Sequence, residues 1–233
     1  RNVDQYDKLR DHSLICSAES ITDAVKDADC VLLSVKPQNY DEVLEEIASV
    51  SDAKEKLYIS IGAGIPSQSV SERIGGAQIV RVLPNLPMLI GEGVSVICEN
   101  PNVTKADFDF VCDVFRSAGS VVLINEKDMN AIIGVASSSP AYVFLFIKAI
   151  CDGAVAQGLE CDDIRKAVCD AVIGSATLAR ESLLSLDELI RMVTSPKGTT
   201  EQAMNVFYSN GFENIVAKAM NACLKRADEL SKI

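Results

Sequence analysis

The chain has 233 residues, 48% of them hydrophobic, enough for one large or two smaller globular domains with a true core. A formal net charge of -11 and a pI of about 4.6 disfavour a nucleic-acid or anionic-membrane surface and leave a small molecule or another protein as the expected partner. Eight cysteines without a C-x-x-C pair, and one histidine, His12, give no zinc spacing and suit a reducing, cytoplasmic interior better than a disulfide framework.

The opening RNVDQYDKLRD has neither a signal peptide's apolar core nor a lipidation motif, and no run of 18 uncharged apolar residues follows, so the chain reads as soluble. It starts on Arg1 rather than Met, which leads us to expect that the sequence begins inside a longer protein. From residue 20 to about 124, β-branched runs alternate with helical periodicity. The predicted strands are CVLLSV (30–35), LYISIG (57–62), IVRV (79–82), VSVIC (94–98) and SVVLI (120–124). The predicted helices between them are ESITDAVKDA, NYDEVLEEIASV, PSQSVSERIG and TKADFDFVCDVFRSAG, the last capped by Thr104 with Asp107 and stopped by Gly119. Such alternation implies a mostly parallel sheet covered on both faces, the later part of a doubly wound fold.

After Lys127 the strands stop. MNAIIGVASSSPAYVFLFIKAICDGAVAQGL predicts a long apolar helix interrupted around Ser137 to Pro140. DDIRKAVCDAVIGSATLARESL follows with Asp162 as cap, then LDELIRMV, then the break TSPKGTT (194–200), then EQAMNVFYSN ended by Gly211, then ENIVAKAMNACLKRADELSK with an apolar face from Ile215 to Leu230. The apolar helix exceeds what a helical unit of this size buries by itself, which predicts a homodimer interface; burial against the first domain is the alternative. The expected architecture is an incomplete α/β Rossmann-like domain, residues 1–125, followed by an all-α dimerisation and substrate domain, residues 126–233.

Four segments carry the functional signal. IGAGIPSQ places Gly62 and Gly64 after a strand, but Ser67 stands where a dinucleotide fingerprint has its third glycine, so the motif match is partial. SVKPQ (34–38) closes another strand at the end where ligands bind in open α/β sheets. RVLPNLPMLIGEGVSV (81–96) is a stiff connection, either a structural crossover or one wall of a cofactor crevice. TSPKGTT is read either as a capping box of Thr199 with Gln202 or, because it holds four hydroxyls where a cap needs one, as an anion cradle at a helix N-terminus suited to a carboxylate.

With SVKPQNYDEVLEEIA, YISIGAGI, VRVLPNLPMLIGEGVSVI, SSSPAYVFLFIKAICDGAVAQGL and MVTSPKGTTEQAMNVF in this order, the chain from about Asp23 to Leu230 resembles the pyrroline-5-carboxylate reductases. The resemblance implies reduction of a cyclic imine, 1-pyrroline-5-carboxylate, to L-proline with NADPH or NADH, in a cytoplasmic homodimer or larger assembly of dimers, without metal. It implies that Ser195, Gly198, Thr199 and Thr200 bind the substrate, with Thr200 closest to the imine nitrogen and Ser195 beside it in the catalytic site. It assigns Ser34, Val35, Lys36, Pro37, Ala63 and Gly64 to the cofactor, and Asn85 and Pro87 to the nicotinamide pocket.

The chain departs from the family pattern in four places. Ser137, Ser138, Ser139, Pro140 and Ala141 replace G-S-G-P-A, Lys197 replaces the first glycine of T-S-P-G-G-T-T, and Leu83, Pro84, Asn85, Leu86 and Pro87 replace M-P-N-T-P. The opening strand and Gly-rich turn of the family do not precede Arg1, which with Asn2 falls near the adenosine-ribose recognition position. These departures keep two other readings open: a reductase of another cyclic imine, and a non-catalytic dimerising relative.

Overall fold

The computed structural model describes residues 16–98 and 100–231. Arg1, Asn2 and His12 lie outside the described residues. The chain first forms α1 (Ile21–Lys26), β1 (Cys30–Leu33), α2 (Tyr40–Ala48), β2 (Leu57–Ser60), α3 (Ser67–Arg73) and β3 (Gln78–Leu83). It continues through β4 (Gly93–Cys98), α4 (Lys105–Arg116) and β5 (Gly119–Ile124).

The strands form one sheet in the order β1-β2-β3-β4-β5. Side chains two residues apart share a face. Tyr58 and Ile79 therefore join Tyr40, Leu44 and Ile47 of α2 and Val70 and Ile74 near α3 on one side. Leu57, Ile59, Val80 and Val82 meet Phe108, Val111 and Phe115 of α4 on the other. Thr104 caps α4 through its side chain and the Asp107 N–H, as its sequence position predicts.

The sheet is parallel except between β3 and β4. A parallel crossover needs a dozen or more residues, usually a helix, whereas only residues 84–92, with the 3₁₀ turn Leu86–Ile90, separate these strands. The short connection turns β4 back antiparallel. Gly119 does not stop α4 but opens β5, because α4 already ends at Arg116 with Ser117 as its C-cap.

The second half comprises α5 (Ser139–Ala156), α6 (Ile164–Glu181), α7 (Leu186–Val193), α8 (Thr199–Ser209) and α9 (Phe212–Leu230). The predicted interruption is present. The apolar run splits into a 3₁₀ turn, Ala131–Gly134, and α5, whose first turn holds Pro140. The cap of α6 is Asp163, one residue after the predicted Asp162, since the Ile164 N–H bonds to the Cys161 carbonyl and the turn consumes that residue. Gly198, not Thr199, precedes the first residue of α8, and Glu201 rather than Gln202 folds back, accepting from the Lys197 N–H at 2.9 Å. An unforeseen capping box, Ser185 with Glu188, starts α7.

Among the described residues, α5, α6, α7 and α8 contain no buried residue, and in α9 only Ala227 is buried. The alternative of burying α5 against the sheet is therefore not what the chain does. Phe144, Leu145, Ile173, Leu178, Val206 and Ile215 are all more than half exposed. The segment Ala131–Ala156 is long and apolar enough to cross a bilayer, but the break before Ser139 and the Lys148–Asp152 ion pair interrupt it. Among the described residues, the start of the helical half and the end of α9 seat on the sheet, where Met129, Ile133, Ala136 and Ala227 pack with Leu83, Val96 and Cys98.

Candidate active site

Because β1, β2 and β3 are parallel, the chain leaves all three at one edge. Residues 34–37 follow β1, residues 61–66 follow β2 and Asn85 and Pro87 follow β3. The first two turns lie side by side, joined by the Ile61 N–H to the Leu33 carbonyl. Beneath them Tyr40, on the first turn of α2, donates its hydroxyl to the Leu33 carbonyl at 3.2 Å and lies 3.1 Å from Ser60 Oγ. Burial raises the Tyr40 pKa, so the hydroxyl remains a donor. A Cβ on Gly62 would lie 2.6 Å from that hydroxyl, which explains the glycine.

Gly64 has φ of 81° and touches α9, where a Cβ would lie 2.7 Å from the Ala227 carbonyl oxygen. Ala63 packs against the cluster that contains Met129, Ile133 and Ala227. The N–H groups of Val35, Lys36, Ala63 and Gly64 bond to no other described residue. Such paired turns of free donors at the carboxyl edge of a sheet fit the oxygens of a dinucleotide.

Asn85 spans the edge. Its Oδ1 accepts from the Val94 N–H at 2.8 Å and its Nδ2 donates to the Ala136 carbonyl at 3.1 Å, joining the post-β3 loop to the start of the helical half. Pro87 lies in the 3₁₀ turn whose Leu86, Leu89 and Ile90 are exposed. Next to Ala136, Ser137 Oγ is buried without a partner, and Cys223 Sγ lies 3.3 Å from both Ser138 Oγ and the Tyr142 hydroxyl.

The segment 194–200 joins α7 to α8. Thr194 Oγ1 is spent on the Ile190 carbonyl at 2.7 Å. The hydroxyls of Ser195, Thr199 and Thr200 have no partner among the described residues, and the Thr199 and Thr200 N–H groups stand free in the first turn of α8. Lys197, at φ 59°, is the one non-glycine residue with positive φ among the described residues. It adopts the left-handed conformation that glycine takes without penalty.

The structure thus brings residues 34–37, 63–64, 85 and 87 to one edge. No hydrogen bond or ion pair among the described residues joins them to residues 194–200. Tyr40 was not legible as a site residue; a tyrosine two residues after SVKPQ was the available signal.

Comparison with known proteins settles the family. The chain is 36% identical over 230 residues to the pyrroline-5-carboxylate reductase of Escherichia coli, covering 98% of this chain and 85% of that protein. The chain belongs to the pyrroline-5-carboxylate reductase family. The Corynebacterium melassecola reductase is 33% identical over 235 residues, covering 87% of that protein. Residues 126–230 match the pyrroline-5-carboxylate reductase dimerisation family, and residues 1–64 match the coenzyme F420-dependent NADP oxidoreductase family.

Among solved reductases, that of Streptococcus pyogenes superposes with a TM-score of 0.90 at 27% identity, over 98% of this chain and 86% of that one. The NADP-bound Plasmodium falciparum pyrroline carboxylate reductase superposes with a TM-score of 0.86 at 30% identity, over 91% of this chain and 81% of that one.

Proposed function

We propose that this protein reduces 1-pyrroline-5-carboxylate to L-proline with NADPH or NADH. The observation that carries the reading is the match to reductases of this name over nearly the whole chain, including both turns and the 194–200 segment. In this reading residues 1–125 hold the cofactor and residues 126–233 hold the substrate and the dimer contact. Ser34, Val35, Lys36, Pro37, Ala63 and Gly64 line the dinucleotide, while Asn85 and Pro87 shape the nicotinamide end. When bound, the dihydronicotinamide supplies a hydride.

The protein's own task is to hold the imine carbon in line and to neutralise the substrate carboxylate. Ser195, Gly198, Thr199 and Thr200 do this with unspent hydroxyls and N–H groups at the positive end of α8, with Thr200 nearest the imine nitrogen. Lys197 adds a cation beside that cradle, offset in part by Glu201, whose carboxylate accepts from the Lys197 backbone.

The exposed apolar faces of α5 to α9 support a homodimer. In this reading, pairing through them brings a 194–200 segment to a cofactor edge, a juxtaposition that no hydrogen bond or ion pair makes among the described residues of one chain. A cytoplasmic location accords with the free cysteines.

The test is substrate-dependent loss of dihydronicotinamide absorbance with pyrroline-5-carboxylate, and L-proline as product. No oxidation with this substrate, but turnover of another cyclic imine, overturns the assignment. Lys197 and the partnerless Ser137 hydroxyl are the features that favour that second reading.

A further inference from the structure

A polar circuit centred on the buried Arg81, and reaching the surface at Asp228, runs behind the β2 turn and outside the site just described. Glu126, in the 3₁₀ turn Glu126–Asp128, accepts from the Ser67 N–H and from Ser67 Oγ, both at 3.1 Å. The same carboxylate accepts from Arg81 of β3 at 2.9 Å and from the Cys98 thiol of β4 at 2.7 Å. Arg81 also donates to Asn130 Oδ1 at 2.9 Å, and Asn130 Nδ2 donates to Asp228 of α9 at 2.9 Å.

The adjacent residue of α9, Ala227, packs against Gly64 together with Leu230. The circuit therefore closes: from Ser67 through Glu126, Arg81, Asn130 and α9 back to Gly64, three residues before Ser67.

Only residues 65 and 66 separate the two points at which turn 61–66 and its exit are held. Arg81 is 3% exposed, and its Nε has no partner. Apolar residues commonly fill a place such as that of Arg81 with equal or greater stability, so its pairing with the partly exposed Glu126 is weak evidence for a role in stability alone. What charged, directional bonds supply that apolar packing does not is a fixed register between four elements. The register fixed here is that of the cofactor-lining turn against the helical half.

We propose that Arg81, Glu126 and Asn130 are positioning residues for the dinucleotide, holding turn 61–66 against α9 so that its free N–H groups are set before the cofactor arrives. This rests on the cofactor assignment of Ala63 and Gly64 above. Pre-setting a turn lowers the ordering cost of binding. Its loss therefore appears in cofactor affinity, and much less in the KM of an imine that binds at another segment.

The experiment uses the protein expressed from its full reading frame, with Glu126→Gln, Glu126→Asp and Asn130→Ala variants. Asn130→Ala cuts the link to α9 but leaves the Arg81–Glu126 pair in place, so it remains informative if Glu126→Gln does not fold. NADPH affinity is read by dihydronicotinamide fluorescence, and amide exchange of residues 62–67 is read without cofactor.

Glu126→Gln is expected to weaken NADPH about tenfold, as loss of charge-assisted bonds predicts. It is expected to speed exchange at the turn and to leave the KM for pyrroline-5-carboxylate at saturating NADPH unchanged. Glu126→Asp recovers part of the affinity, and Asn130→Ala shows a smaller loss. Unchanged NADPH affinity and turn exchange in folded variants overturn the proposal, as does a rise in substrate KM equal to the loss of cofactor affinity. A wild-type protein that binds NADPH without reducing this imine refutes the substrate reading alone, since affinity and exchange still decide the role of the circuit.

Discussion

Lys197 is strained by its backbone and, in the proposed reading, sets a cation beside the substrate cradle; the two effects separate experimentally. Left-handed backbone costs a side-chain-bearing residue roughly 1 kcal/mol, part of which glycine returns through greater freedom in the unfolded chain. Lys197→Gly is expected to stabilise by about 0.5 kcal/mol, a rise of roughly 1–2 °C in Tm by calorimetry. Lys197→Ala keeps the strain and removes only the ammonium. If the cation attracts the substrate carboxylate, KM for pyrroline-5-carboxylate rises in this variant, most clearly at low ionic strength.

Glu126 gives a pH signature at the same scale. Burial pushes its carboxyl up, but the bonds from Cys98, Ser67 and Arg81 outweigh burial and hold it below the ordinary value. The folded pKa is therefore lower than the unfolded one. Its stabilisation is complete above the unfolded value of about 4.3 and is lost as pH falls through the folded value. Chemical denaturation across this range should show the stability deficit of Glu126→Gln shrinking as pH drops below about 4.3. Cys98, fully buried and pushed up to about 12 mainly by desolvation, should resist alkylation in the native protein, while the exposed Cys161 reacts.

At the scale of elements, two contacts are sharp enough to predict from. The Ser185–Glu188 box satisfies the Glu188 and Ser185 N–H groups at the start of α7. Ser185→Ala should cost about 1 kcal/mol, read as a Tm decrease of roughly 2–4 °C. Gly64→Ala meets both a positive φ and the Ala227 carbonyl, so it should destabilise by about 1–3 kcal/mol and loosen the end of α9. Thermal unfolding and amide exchange at residues 227–231 check this.

The strands were legible because β-branched runs have no good helical alternative, and their centres agree with β1 to β5. Caps were less legible. Asp163 and Gly198 took the places expected of Asp162 and Thr199 because a neighbouring turn, or the back-folded Glu201, fixed the first helical residue. The antiparallel β3–β4 pair follows from the short connection, a length that the sequence displays but that periodicity alone does not use.

For the whole molecule, the helical half is the unusual feature. Apolar side chains from α5 through α9 face outward in the single chain, a larger apolar surface than a lone soluble chain tolerates. Leu145, two-thirds exposed in the middle of α5, is a direct probe. If the proposed homodimer forms through these faces, Leu145→Glu should shift it towards monomer in sedimentation and reduce turnover in parallel, since the proposed site needs two copies. A monomeric variant with full activity would refute that requirement.

The sequence by itself determined the element order and the switch from strands to helices after Lys127, and it marked the segments proposed to carry chemistry. These depend on local period, on turn residues and on the spacing of TSPKGTT, all of which act within a few residues along the chain. Tertiary structure alone decided that Tyr40 ties β1 to β2, that α9 presses on Gly64, and that Arg81 and Glu126 join four elements. The physical reason is distance along the chain. Arg81 and Glu126 are 45 residues apart and Asn130 and Asp228 are 98 apart, so no local pattern marks either as a partner until the fold has placed them together.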